Sequence, residues 1–90
     1  MPHEYRSRTD ILANICDIAN GYGANKTKIM YGAYLSFGQL KEYLSILIAN
    51  GLLERLEAEN LYRTTEKGKK FIRACSHLDE LTGPLFNRLS

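Results

Sequence analysis

The sequence contains few of the residues on which catalytic, metal-binding or secreted domains depend. Its 90 residues include no tryptophan, two prolines and two cysteines, Cys16 and Cys75. Neither cysteine has another cysteine or a histidine at a spacing typical of metal ligands, so we expect no metal site and two small, buried, hydrophobic side chains. No apolar run is long enough to span a bilayer, and the N-terminus lacks the apolar stretch of a signal peptide. We therefore expect a cytoplasmic protein without membrane contact.

Catalytic groups are also scarce. No Ser-His-Asp set, pair of neighbouring carboxylates or glycine-rich phosphate loop stands out in the sequence. We therefore expect that the protein is not an enzyme and that it needs no cofactor.

The charge is small in total but uneven along the chain. Twelve basic and ten acidic residues give a net charge of +2, which alone does not indicate a nucleic-acid partner. The basic residues gather at positions 6–8, 26–28 and 67–73, and most acidic residues lie elsewhere. This arrangement allows a basic face on a nearly neutral protein.

Length and hydrophobic spacing predict one domain over residues 1–90, mainly α-helical with a small β-hairpin. Ser7 or Thr9 is expected to cap a first helix. The glycines near residue 21 are expected to end this helix, and a short extended piece follows them. Residues 27–33 form a second, short helix with an apolar face, in which Tyr31 is expected to pack into the core.

The third helix, predicted over residues 36–50, has the clearest signals. Ser36 and Gln39 have the spacing of a capping box, and Asn50-Gly51 is a typical helix stop. Its predicted core face consists of Leu40, Tyr43, Leu44, Leu47 and Ile48. The opposite face is mostly polar.

A β-hairpin and a last helix complete the predicted domain. Two short extended runs surround the polar turn at residues 58–60, and a helix follows from residue 65. The helix-turn-helix and wing therefore occupy residues 7–64 and the C-terminal helix residues 65–82. Pro84 is expected to end or kink that helix.

A short helix, a tight turn, an exposed capped helix and a hairpin are the layout of a helix-turn-helix reader with a wing. The sequence therefore predicts that the third helix enters the major groove of double-stranded DNA. Lys26 and Lys28 are either phosphate contacts or ordinary solvated lysines. Glu42 either accepts a hydrogen bond from the cytosine amino group or is an ordinary surface residue. Phe37 either contacts DNA or closes the core. The predicted contacts are Lys26, Lys28, Ser36, Phe37, Gly38, Gln39, Lys41, Glu42, Ser45, Arg55, Asn60 and Arg63. Within this set, Gln39 is the expected reader of adenine and Lys41 the expected phosphate contact.

Three motifs add to this layout, and the first two are the most specific. They are the KTKIMYGA run at residues 26–33, the LS pair at residues 35–36 and the TEKG sequence at residues 65–68. Over roughly residues 7–80 the chain resembles the archaeal winged helix-turn-helix family of small dimeric DNA-binding proteins. The resemblance implies a winged-helix fold with a wing at residues 57–61, a homodimer formed through the last helix, and a role in transcription regulation or chromosome organisation.

Two further expectations concern partners. The last helix is more apolar than a small core requires, which favours a homodimer contact through Phe71, Cys75, Leu78, Leu81 and Leu85. The acids of the hairpin, Glu54, Glu57 and Glu59, would repel DNA. The alternative function is therefore a winged-helix module that binds another protein within a larger complex.

Overall fold

The first three helices each begin at a side chain that caps them. In the computed structural model, which describes the backbone of residues 7–89 and the side chains of residues 7–77, Ser7 and Asp10 form a capping box at the first helix. Asn25 accepts a hydrogen bond at the start of the second. Ser36 and Gln39 form the predicted box at the third. These caps satisfy amide groups that have no partner within the helix.

The order of elements is the predicted one, and the fold is mainly helical with one two-stranded antiparallel hairpin. The elements are α1 (Arg8–Ile18), α2 (Lys26–Gly32), α3 (Phe37–Ala49), β1 (Leu53–Leu56), β2 (Leu61–Thr64) and α4 (Glu66–Leu89). Within residues 7–89, no helix combines the length and hydropathy needed to cross a membrane.

The hairpin is extended on one side by the loop before α2. Leu53 pairs with Thr64 at the base of the hairpin, and Ala24 exchanges two backbone hydrogen bonds of 2.8 Å with Tyr62. This bridge confirms the short extended piece expected before the second helix. Gly23 allows the close approach, because a Cβ there would lie 2.9 Å from the Tyr62 carbonyl oxygen and its φ is +97°. The bridge fixes the start of α2 beside the hairpin.

The core lies where the three helices meet the inner face of the hairpin. Tyr43 belongs to it, as predicted, and so does Cys16, whose burial raises the pKa of its thiol to about 11. Cys75 is only half-buried, because α4 exposes one side of its first turns. The other buried apolar residues include Ile11, Ile15, Ala19, Ile29, Ala33, Leu35, Leu40, Leu44, Leu47 and Leu53.

Two predicted core residues lie outside it. Tyr31 is 70% exposed, because Ile29 and Ala33 take the buried face of α2 and a position two residues from each points away. Ile48 is 42% exposed, whereas Ile46 packs against the core. The side of α3 that carries Ile46 faces α1 and α4, whose residues Leu12 and Phe71 line a cavity of about 540 Å³ with it.

Residues 64–68, called here the hairpin–α4 junction, tie together the ends of the helices. The Thr64 hydroxyl donates to the Cys16 carbonyl, and the Thr64 amide donates to the Ala19 carbonyl, both near the end of α1. The Thr65 hydroxyl donates to Gly51 O at 2.6 Å, just after α3, and accepts from the Gly68 amide. One short segment thus satisfies carbonyl groups near the ends of two helices.

Helix α4 continues beyond the predicted stop. It passes through Gly83 and Pro84 and reaches Leu89, so Pro84 does not end the helix, and of the two predicted effects only the kink stays a prediction. A proline removes one backbone hydrogen bond, and the apolar helical spacing of the sequence resumes after it at Leu85, Phe86 and Leu89. The first part of α4 packs against α1.

Candidate nucleic-acid interface

One line of exposed side chains runs along α3 away from the core. Phe37, Lys41, Ser45 and Ile48 follow one another at intervals of four, four and three residues, and all four are exposed. This spacing places them on one side of a helix. We call these four residues the outer stripe.

The outer stripe borders a shallow groove between α3, the start of α2 and the hairpin. Lys26 and Tyr62 lie across the groove from Lys41, Ser45 and Ile48, in a cavity of about 190 Å³. That volume is below the roughly 300 Å³ typical of small-molecule sites. The bridge between Ala24 and Tyr62 holds Lys26 in this position.

Arg55 extends the basic surface onto the hairpin. Its guanidinium donates to the Tyr62 hydroxyl at 2.9 Å and to Asn60 Oδ1 at 3.0 Å, and it lies 5.3 Å from the centre of the Tyr62 ring. Asn60 has a φ of +57° at the hairpin tip, a conformation that asparagine tolerates well. The three side chains support one another, so the structure places the predicted residues Arg55 and Asn60 on the groove side of the hairpin.

Two predicted DNA contacts, Ser36 and Gln39, form the cap at the start of α3. Gln39 Oε1 accepts from the Ser36 amide at 2.9 Å, and Ser36 Oγ accepts from the Gln39 amide at 3.2 Å. A bidentate contact with adenine needs both the oxygen and the nitrogen of a glutamine amide. In this conformation the Gln39 amide oxygen is directed at the Ser36 amide, so the side chain serves the cap and is not oriented for a bidentate contact with adenine.

Two other predicted contacts form ion pairs on different surfaces. Glu42 accepts from Arg8 of α1 at 3.4 Å, and Arg63 lies 2.9 Å from Glu54 on the neighbouring strand. In the strand register, Glu54 and Arg63 oppose each other, one position along from the pair Arg55 and Tyr62. Since successive strand residues face opposite sides, Arg63 lies on the hairpin face away from the groove.

The remaining predicted residues stay on the exposed surface. Gly38 has open space around it, since a Cβ added there would meet nothing within 4 Å, and Lys28 is exposed on α2. Lys26, Lys28 and Lys41 form no ion pair among residues 7–77. By contrast, Lys69 of α4 pairs with Glu66 at 3.0 Å, and this pairing lowers the pKa of Glu66. Lys67 and Lys70 of α4 also lack an ion pair within these residues, so the unpaired lysines that border the groove are Lys26 and Lys41.

Sequence reasoning missed two members of this surface. Tyr62 could not be predicted as part of this surface, because its position depends on the bridge to Ala24, 38 residues earlier in the chain. Ile48 was predicted to lie in the core because it is four residues after Leu44, on the same helix face. It lies at the edge of that face. Its proximity to Ser45 and Lys41 was a signal for the exposed side.

This arrangement, a helix-turn-helix followed by a hairpin, agrees with the comparisons with known proteins. The sequence profile of the winged helix-turn-helix family matches residues 5–83. The chain belongs to the winged helix-turn-helix family. The predicted resemblance and fold are thereby confirmed.

Two archaeal proteins are similar to this winged-helix chain. An uncharacterised protein of Methanocaldococcus jannaschii is 30% identical over 76 residues, which cover 84% of this chain and 76% of that protein. The crystal structure of Sso10a-2, a DNA-binding protein from Sulfolobus solfataricus, superposes with a TM-score of 0.80 at 22% identity. That superposition covers 92% of this chain and 88% of Sso10a-2, so the two share their fold over nearly their whole lengths.

Proposed function

We propose that this winged-helix protein binds double-stranded DNA, with α3 in the major groove and the hairpin beside the neighbouring backbone. The observation that carries the proposal is the groove between Lys26, Lys41 and Tyr62. Both lysines are exposed and have no acidic partner within residues 7–77. They could therefore bind phosphates while α3, which like any α-helix fits the width of the major groove, contacts the bases. The likeness in fold to a protein described as DNA-binding supports it. The internal pairing of Glu54 with Arg63 also removes one argument for repulsion at the wing.

A salt titration tests the proposal with a matched control. Lys26→Ala and Lys41→Ala should each weaken binding to a labelled duplex and reduce the slope of log affinity against log salt by about 1, because each loses one phosphate contact. Lys69→Ala is the control, since Lys69 lies on α4 and pairs with Glu66. Fluorescence anisotropy at several salt concentrations gives both quantities.

Two results would contradict DNA binding at this groove. The first is no binding of the unaltered protein at low salt. The second is an equal loss of salt dependence in Lys69→Ala and Lys41→Ala. If no duplex binds but a protein partner is retained after nuclease treatment of an extract, the alternative interaction module is favoured.

The use of the major groove has its own test. Methylation at guanine N7 places a methyl group in the major groove, whereas methylation at adenine N3 places one in the minor groove. We expect interference at guanine N7 near the site of α3. Interference confined to adenine N3 would place the protein in the minor groove instead.

We further propose that the protein acts as a homodimer through α4. Helix α4 has 24 residues and α1 only 11, so α1 is long enough to cover less than half of α4. Of the five predicted interface residues, Phe71 and Cys75 are half-buried, and the side chains of Leu78, Leu81 and Leu85 lie outside the described residues. Sedimentation equilibrium should give about twice the chain mass of 10.2 kDa. A concentration-independent monomer would contradict the proposal.

The biological role follows from the specificity ratio. A transcription regulator binds a selected duplex far more tightly than random DNA, whereas a chromosome-organising protein binds both with similar affinity. Competition between selected and random duplexes at one salt concentration distinguishes these two roles.

A further inference from the structure

The outer stripe has few groups that can read bases through hydrogen bonds. Its polar members are Lys41 and Ser45, and Gln39 is occupied by the cap of α3. The other two members, Phe37 and Ile48, are apolar. Apolar contact with a base edge is the other way in which side chains distinguish bases in the major groove.

Phe37 is the apolar residue best placed for this purpose. It is the first residue of α3, its side chain is 60% exposed, and it therefore contributes little to the core. In helix-turn-helix readers the N-terminal residues of the reading helix contact the base edges. Ile48 lies eleven positions further along α3, about 16 Å away along the helix axis.

The surroundings of Phe37 allow a base pair to come close. Gly38 follows it with no side chain, and a Cβ at Gly38 would have nothing within 4 Å. The Lys41 ammonium lies 5.7 Å from the centre of the Phe37 ring. An apolar ring thus stands beside a cation that can bind a phosphate, with open space next to both.

One apolar group in the major groove matches such a ring. Thymine carries a 5-methyl group there, and cytosine, adenine and guanine carry polar groups at their major-groove edges. We propose that Phe37 contacts the thymine methyl group and gives the protein a preference for thymine-containing DNA. This inference rests on the proposed DNA binding and specifies what α3 recognises.

Deoxyuridine provides the test, because it keeps the base pairing of thymine and lacks only the methyl group. Binding is measured by anisotropy on a short alternating A·T duplex and on the same duplex with every thymine replaced by deoxyuridine. We expect the unaltered protein to bind the thymine duplex about three- to fivefold more tightly, as one buried methyl group implies. Phe37→Ala should bind both duplexes equally, and Phe37→Leu should retain part of the preference.

Tyr22→Ala is the matched control, since it removes an exposed aromatic side chain from the loop before α2, outside the outer stripe. It should keep the full preference, and any effect of deoxyuridine on duplex shape should be the same in every variant. Circular dichroism confirms that each variant is folded. Equal binding of both duplexes by the unaltered protein, or an unchanged preference in Phe37→Ala, would overturn the role of Phe37. Absence of binding to either duplex at low salt would overturn DNA binding itself.

Discussion

The hairpin–α4 junction and the outer stripe of α3 use their side chains in opposite ways. In the junction, the hydroxyls of Thr64 and Thr65 bind backbone carbonyls near the ends of α1 and α3, and Gly68 lies against Leu52. On the outer stripe, the Lys41 ammonium lies over the Phe37 ring, and both side chains remain exposed to solvent. The junction therefore holds the fold together, whereas the stripe is available to a partner.

This contrast explains how so small a domain can leave one side of α3 exposed. A chain of 90 residues buries a limited core, so the precise fit of a few contacts decides its stability. Those contacts are concentrated where the hairpin returns to the helices. Residues of the outer stripe are then free to differ without loss of the fold.

Two helical glycines provide the largest test of the contrast. A Cβ at Gly68 would collide with the Leu52 carbonyl oxygen and lie 2.6 Å from Thr64 Cγ2, so backbone must move. We expect Gly68→Ala to lower the free energy of unfolding by roughly 3 kcal/mol, at the upper end of overpacking effects. Urea denaturation followed by circular dichroism measures it.

Gly38→Ala is the matched control, because Gly38 is also near the start of a helix but has open space around it. Alanine there should raise stability by about 0.5 kcal/mol through its better helix propensity. Similar losses in both variants would mean that the junction is no more tightly packed than the exposed start of α3.

The next largest effect concerns the buried hydroxyl of Thr64. Thr64→Val keeps the shape of the side chain but leaves the Cys16 carbonyl without its hydroxyl donor, in a place where Thr64 is only 3% exposed. We expect a loss of roughly 1–2 kcal/mol in the free energy of unfolding. Thr27→Val, at an exposed position of α2, is the control and should change it by less than about 0.5 kcal/mol. An unchanged midpoint in Thr64→Val would show that the bond is dispensable.

Local signals in the sequence predicted most of the scaffold. The capping box of Ser36 and Gln39, the stop at Gly51 and the order of elements depend on residues within a few positions of one another, and the structure confirms them. The same box shows the limit of such signals. The spacing of residues allowed Gln39 two roles, and only the geometry shows that the cap occupies its amide oxygen.

Contacts between distant residues could not be predicted in this way. The ion pair of Arg8 with Glu42 joins residues 34 positions apart. It shows that Glu42, a predicted DNA contact, lies on the side of α3 near α1. The exposure of Tyr31 likewise depends on which face of α2 the other helices cover. Sequence patterns therefore predicted the bounds and the cap of α3, while packing decided which of its side chains are exposed.

The smallest expected effect is on stability at the outer stripe itself. Phe37→Ala and Lys41→Ala should each change the free energy of unfolding by less than about 0.5 kcal/mol, because both side chains are exposed and their mutual contact lies at the surface. The same variants are expected to alter DNA binding, so denaturation and anisotropy on one set of proteins separate folding from recognition. A loss of stability as large as that in Thr64→Val would place Phe37 in the scaffold and remove the contrast. If stability is unchanged, any loss of binding in these variants arises at the contact with DNA, since the folded population is the same.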